Sequence, residues 1–123
     1  MKMDVKRIGL MPKKEYDMDC LQQLVQRVPG SGGCTQILIG LSSEQDVNVA
    51  ENILRNKKEK PSILLECILP YETVSNDWNE ELRDRFFHVM EQCDKETMLQ
   101  TRYTTDYQER LESYIRQYAD TVI

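Results

Sequence analysis

Thr35-Gln36-Ile37-Leu38-Ile39-Gly40-Leu41-Ser42-Ser43-Glu44-Gln45-Asp46 decides how this chain folds. Ile37-Leu38-Ile39 is a short continuous apolar run, the pattern of a strand buried on both faces. Gly40 marks its end. Ser42 and Ser43 then place hydroxyls where a helix begins, and Glu44 and Asp46 suit the positive end of that helix. From about Ser43 to Lys57, Val47, Ala50, Ile53 and Leu54 share one helical face. Arg55 to Lys60 is rich in Lys and Arg, which suits the negative end. The segment therefore reads as strand, short loop, helix.

The same alternation extends in both directions. Upstream, Lys6 to Met11 reads as strand 1, ended by Pro12. Lys14 to Val28 carries Tyr16, Cys20, Leu21, Leu24 and Val25 at helical spacing. Pro29-Gly30-Ser31-Gly32-Gly33 stops that helix at the edge of the sheet away from the strand ends, so it reads as a turn and not a phosphate cradle. Downstream, Ser62 to Leu69 is strand 3, apolar except for Glu66, and Pro70 closes it. Asp77 and Glu80 form a capping-box pattern before a third helix that runs to about Cys93, with Trp78, Leu82, Phe86 and Val89 on one face. Thr97 to Gln100 reads as strand 4. Thr105 or Asp106 caps a fourth helix bearing Tyr107, Leu111, Tyr114, Ile115 and Tyr118. Ala119 to Ile123 opens strand 5. Strands alternating with helices predict an α/β fold, a Rossmann-like three-layer sandwich with a mainly parallel five-stranded sheet. A strand order of 3-2-1-4-5 is expected. It puts strand 3 at an edge, where the charge of Glu66 blocks edge pairing.

The chain has 123 residues, 40% hydrophobic and 30% charged, with a net charge of −5 from 16 basic and 21 acidic side chains. This length suits one domain, since single cores usually occupy about 100–150 residues. The acidic balance disfavours general nucleic-acid binding, which rests on phosphate contacts. No apolar run is long enough to span a bilayer, and the N-terminus lacks a signal-like apolar region, so no membrane partner and a cytoplasmic location are expected. The four cysteines, Cys20, Cys34, Cys67 and Cys93, share no C-x-x-C spacing, and His88 is the single histidine. They read as reduced thiols packed as small hydrophobes, with no metal site expected. His88 reads as a structural or surface residue.

In a parallel sheet of this kind, ligands bind beyond the carboxyl ends of the strands. The candidate ligand-binding residues are therefore Gly9, Gly40, Ser42, Ser43, Asp46, Tyr71, Glu72, Trp78, Arg83 and Tyr103. Gly40 allows close backbone approach. Ser42 and Ser43 offer an anion the N-terminus of helix 2. The alternative is that Ser43 is only an N-cap and Asp46 its acidic N3 partner. Asp46 repels phosphate unless it accepts from a ribose or from a neighbouring loop amide. Tyr71 and Tyr103 are stacking candidates. Glu72 is a ribose or base contact or a surface carboxylate. Trp78 is a stacking candidate whose position at the start of a helix also suits a core anchor. Arg83 and Arg85, two apart, point to different sides, so at most one faces the cleft. No nucleophile–base pair is visible, and no catalytic residue is assigned; Asp46 and Glu72 are the one carboxylate pair at this edge.

These residues resemble the YpsA-like family of the SLOG superfamily, Rossmann-like proteins related to the DNA-processing protein DprA and the LOG enzymes. The family pattern after strand 2, roughly G-x-A-x-G-x-D-x-x-A-A-E, is matched by Gly40, Asp46, Ala50 and Glu51. The P-[FY]-E stretch, the tryptophan and the R-x-R-[YF] helix that follow strand 3 are matched by Pro70-Tyr71-Glu72, Trp78 and Arg83-Asp84-Arg85-Phe86. Gly9 and Pro12 match the ends of T-G-H-R-P. Leu10 and Met11 replace the family's His-Arg pair, Glu44 replaces its second glycine, and Leu111 and Glu112 stand where an Arg-Asn pair is typical. The chain stops at Ile123, before the family's G-G-T loop and last helix, and it lacks the LOG-type P-G-G-x-G-T signature, which argues against a phosphoribohydrolase.

The resemblance implies non-catalytic binding of a nucleotide or nucleotide-derived signal, such as an ADP-ribose-like ligand, by a sensor or a sequestering protein in phage–host conflict. No cofactor is required. The alternative is a structural or interaction protein that has lost the nucleotide site. A homodimer is expected, because a missing last helix leaves sheet surface to be covered by a partner.

Overall fold

The computed structural model describes residues 4–26, 33–60 and 62–123. Five strands, β1 (Asp4–Leu10), β2 (Gly33–Gly40), β3 (Ile63–Leu69), β4 (Lys95–Met98) and β5 (Thr121–Val122), alternate with four helices, α1 (Met18–Gln26), α2 (Glu44–Lys57), α3 (Glu80–Gln92) and α4 (Tyr107–Tyr118). All strand pairs are parallel. The expected α/β sandwich is the one observed. Among the described residues no helix is long and apolar enough to cross a membrane.

Element boundaries shift by a few residues. The first helix starts at Met18, and residues 27–32, which hold most of the Pro29–Gly33 stretch, lie outside the described residues. The third helix is capped by Asn79 and not Asp77: the Asn79 side chain accepts from Leu82 N at 2.8 Å. Strand 4 begins at Lys95 because its register is set by β3, Glu66 opposite Lys95 and Ile68 opposite Thr97.

The strand order is β4-β3-β2-β1-β5, which corrects the expected order. The chain steps three times in one direction, and right-handed crossovers put α1, α2 and α3 on one face of the sheet. Among the described helices only α4 carries the chain back, so it lies on the other face, over β1 and β2. Two cores result. The larger packs Leu21, Val47, Ala50, Ile53, Leu82, Phe86 and Val89 against Ile37, Ile39, Leu65 and Cys67. The smaller holds Leu38, Ile68, Leu111 and Ile115.

Strand 3 is thus interior, and Glu66 does not guard an edge. It is 2% exposed. Its carboxylate accepts from Gln36 Nε2 at 2.6 Å, Thr97 Oγ1 at 2.8 Å and Tyr114 OH at 2.7 Å. Lys95 Nζ stands 3.8 Å away. A buried carboxyl group is tolerated here because hydrogen-bond partners replace its water.

Candidate functional site

The connections leaving β3 and β4 diverge to opposite faces, one to α3 and one to α4. Such a divergence opens a crevice at the carboxyl ends of the two strands. Tyr71 follows β3, and Tyr103 and Tyr107 follow β4. The Tyr71 ring meets Tyr103 at 5.4 Å and Tyr107 at 5.5 Å, both edge-on. Tyr103 is 57% exposed, so one aromatic face of the cluster is open. Burial, then Tyr107 and Tyr103, hold the Tyr71 hydroxyl above its usual range, against Lys13. Lys13 supplies the cation: its Nζ donates to Tyr107 OH at 2.8 Å and stands 5.2 Å from that ring's centroid.

Lys13 is held by its backbone. Its φ of 60° lies in the left-handed region, which costs a non-glycine residue about 1–2 kcal/mol. Asp46 offsets that cost. Asp46 Oδ1 accepts from Lys13 N at 2.7 Å, and Oδ2 accepts from Ser42 N and Ser42 Oγ, each at 2.8 Å. Ser43 caps α2, its side chain accepting from Asp46 N at 3.4 Å. Of the two readings of this loop, the N-cap with its acidic partner is the one the geometry matches, and Asp46 serves a neighbouring loop amide. A carboxylate of the chain itself takes the Ser42 amide that an anion would use. With both oxygens engaged, Asp46 is also not a free general base.

Burial pushes the Asp46 carboxyl above its usual value, and the bonds from Lys13, Ser42 and Ser43 pull it back only in part. A folded value above the unfolded one means that the native state binds the proton more tightly. The stabilisation from this group is complete below about pH 4 and is lost as pH rises through the raised folded value. Urea midpoints of the wild type should therefore rise relative to those of Asp46→Asn as pH falls from neutral towards that limit. A difference independent of pH would show that Asp46 titrates as a free carboxyl.

The other candidates divide. Tyr71 and Tyr103, read as stacking candidates on two loops, meet each other. Gly9 and Gly40 do not border a cleft: a Cβ at Gly40 would lie 2.6 Å from Leu111 Cδ2, and one at Gly9 would lie 2.5 Å from Ile115 Cγ2. Both glycines exist to let α4 rest on the sheet, which corrects their assignment to ligand approach. Trp78 is a core anchor and not a stacking platform: it packs against the larger core and meets Phe86 edge-on at 5.4 Å. Arg83 is exposed on α3. Arg85 is tied to α2 through Glu51, with Nη2 to Oε1 at 2.6 Å. Glu72 is exposed on the turn after β3. His88 is exposed and pairs with Gln92 at 2.8 Å.

Lys13 and Tyr107 are the residues that sequence reading missed. Spacing groups Tyr107 with Leu111, Tyr114, Ile115 and Tyr118 on the fourth helix and gives no sign of a site there, and nothing in a lysine signals a left-handed backbone. Surface hollows also lie away from this crevice. One of about 490 Å³ follows α4 between Leu99, Arg110 and Tyr114, and one of about 300 Å³ borders Arg7, Glu66 and Lys95. The first follows α4 and the second lies between α4 and the sheet, whereas the crevice combines an aromatic face with a cation at the carboxyl ends of the strands.

No protein-family model matches this chain, and no curated protein matches it. Among solved structures it is similar to a response regulator receiver domain protein (CheY-like) from Methanospirillum hungatei JF-1, with 13% identity over 93% of this chain and 96% of that one, and a TM-score of 0.37. The class defined by the coordinates is a doubly wound, all-parallel α/β domain.

Proposed function

We propose that this domain is a non-catalytic binding module for a nucleotide or nucleotide-derived signal, acting as a sensor or a sequestering protein in the cytoplasm. The observation that carries the reading is the tyrosine cluster at the strand ends, with Tyr103 open to solvent and Lys13 beside it. A planar base stacks on Tyr103, and the Lys13 ammonium meets a phosphate. The divergence of the β3 and β4 connections supports this placement. Kinship with the YpsA-like branch of the SLOG superfamily is part of the same proposal, resting on Gly40, Asp46, Pro70 to Glu72 and Trp78.

The ligand carries little charge, because Asp46 takes the Ser42 amide and Glu44 adds a second carboxylate at the start of α2. Calorimetry should rank AMP or ADP-ribose above ATP, with cyclic dinucleotides as a further arm. Stacking on an aromatic is worth about 1–3 kcal/mol per base, so Tyr103→Ala should weaken binding about five- to 150-fold. Tightest binding to ATP would contradict the charge argument. Absence of binding to every nucleotide would favour an interaction protein. That second reading draws on the sheet face carrying α4, where Tyr118 is 46% exposed. A homodimer formed through this face should appear in light scattering as twice 14.5 kDa at micromolar concentration, and a monomer would exclude it.

A further inference from the structure

Four strands each place one polar side chain on the face of the sheet that carries α4. Arg7 lies opposite Gln36 in the register of β1 and β2, and Glu66 lies opposite Lys95 in the register of β3 and β4. Successive strand residues alternate between faces, so these four share the face of Gly9, Leu38, Ile68 and Thr97, each two positions further on. Gly9, Leu38 and Ile68 meet α4 directly, through Ile115 and the smaller core. Towards the amino ends of the strands the packing opens. There Tyr114 and Tyr118 of α4 stand over the polar row, and the six side chains border the hollow of about 300 Å³.

The floor of this hollow is closed. Glu66 is 2% exposed, and Gln36, Thr97 and Tyr114 occupy its oxygens at 2.6–2.8 Å. The rim is different. Among the described residues the Arg7 guanidinium has no hydrogen-bond or ion-pair partner; Asp120 accepts from the Arg7 backbone N–H instead, at 2.8 Å. Lys95 Nζ stands 3.8 Å from Glu66 Oε1, beyond hydrogen-bond reach, and its side chain is 60% exposed. A guanidinium and an ammonium are donors without acceptors, so the rim offers donors only. Two cations above one buried carboxyl group leave room for a single anionic charge. The wall is aromatic: the Tyr114 and Tyr118 rings lie 4.6 Å apart, tilted by 42°, and Tyr118 is 46% exposed.

We propose that this hollow is a second ligand site, for a small aromatic monocarboxylate with a hydroxyl at its far end. The carboxylate takes two parallel N–H···O bonds from the Arg7 fork, the planar pairing that a guanidinium favours. The ring of the ligand lies against Tyr118. Arg7 and Lys95 stand on β1 and β4, three places apart in the sheet, and reach the hollow from opposite sides. A ligand with acceptors at its two ends therefore suits them, and its hydroxyl accepts from Lys95 Nζ. Phosphate fits less well, because its second charge would lie above Glu66 with no cation left to meet it. The site is independent of the tyrosine crevice, which lies at the carboxyl ends of the strands.

Calorimetry of the full chain with para-hydroxybenzoate tests this. Saturable one-to-one binding is expected. Benzoate should bind more weakly, cyclohexanecarboxylate more weakly than benzoate, and inorganic phosphate should give no saturable heat. Arg7→Gln should weaken para-hydroxybenzoate about ten- to 150-fold, the loss expected for hydrogen bonds to a charged group. Its fold should survive, since the guanidinium is bonded to no described residue, and a thermal melt checks this. Lys95→Gln should reduce the affinity for para-hydroxybenzoate towards that for benzoate and leave benzoate binding nearly unchanged. Tyr103→Ala should bind like the wild type. Absence of saturable binding by any of the carboxylates would overturn the proposal, as would undiminished binding by Arg7→Gln or a preference for phosphate. Loss of binding in Tyr103→Ala would also overturn it, by placing the carboxylate in the crevice.

Discussion

Leu111→Ala should lower the stability of this domain by about 2–5 kcal/mol, the range for removing a fully buried leucine from a tight core. The upper part of that range is expected because the core under α4 is small. Leu111 is fully buried there with Leu38, Ile68 and Ile115, and among the described residues no second helix on that face takes up the loss. Its side chain rests directly on Gly40. A Cβ added at Gly40 would stand 2.6 Å from Leu111 Cδ2 and 2.8 Å from both Cδ1 and Cγ, so Gly40→Ala should cost about 1–3 kcal/mol by overpacking. In the double variant the alanine methyl at Gly40 occupies space vacated by the leucine. Its stability should exceed the additive expectation by about 1 kcal/mol or more. Urea unfolding of the four proteins checks this. Additive costs would mean that α4 does not depend on the missing side chain of Gly40.

Glu66→Ala is expected to cost about 2–4 kcal/mol, whereas Glu66→Gln should cost about 1 kcal/mol or less. Alanine leaves the Gln36 amide and the Thr97 and Tyr114 hydroxyls without the carboxylate they bind. Glutamine keeps the shape. Its carbonyl accepts from Gln36, and its amide donates to hydroxyls, which rotate to accept as readily as they donate. Lys95 is 60% exposed in its side chain and returns to water in either variant, so no uncompensated charge stays behind. Thermal melts of the three proteins separate the hydrogen-bond account from one in which the negative charge itself matters. Equal destabilisation by glutamine and alanine would favour the charge.

The two residues were misread from sequence for related reasons. A glycine at a strand end leaves room for a ligand or for a helix, and the pattern around Gly40 is the same in both cases. A glutamate in an apolar strand marks either an edge or a satisfied interior charge. The choice depends on whether a strand lies beyond it, which local pattern does not encode. Asn79 and Asp77 show the same limit at a smaller scale, as two capping residues two positions apart compete for one helix start.

Read alone, the sequence determined the alternation of strands and helices, the parallel sheet and the segments that gather at its carboxyl edge. These follow from hydrophobic period, prolines, glycines and caps, all of which act over a few residues. Tyr71 and Tyr103 were legible as residues of one sheet edge because parallel strands bring all their exits to one edge. Tertiary structure alone decided that β4 joins β3, that α4 crosses the opposite face, and that Lys13 is bent towards Tyr107 by Asp46. Each of these depends on contacts between residues far apart in the chain, where the free energy of burial and of satisfying a buried carboxylate outweighs local preference.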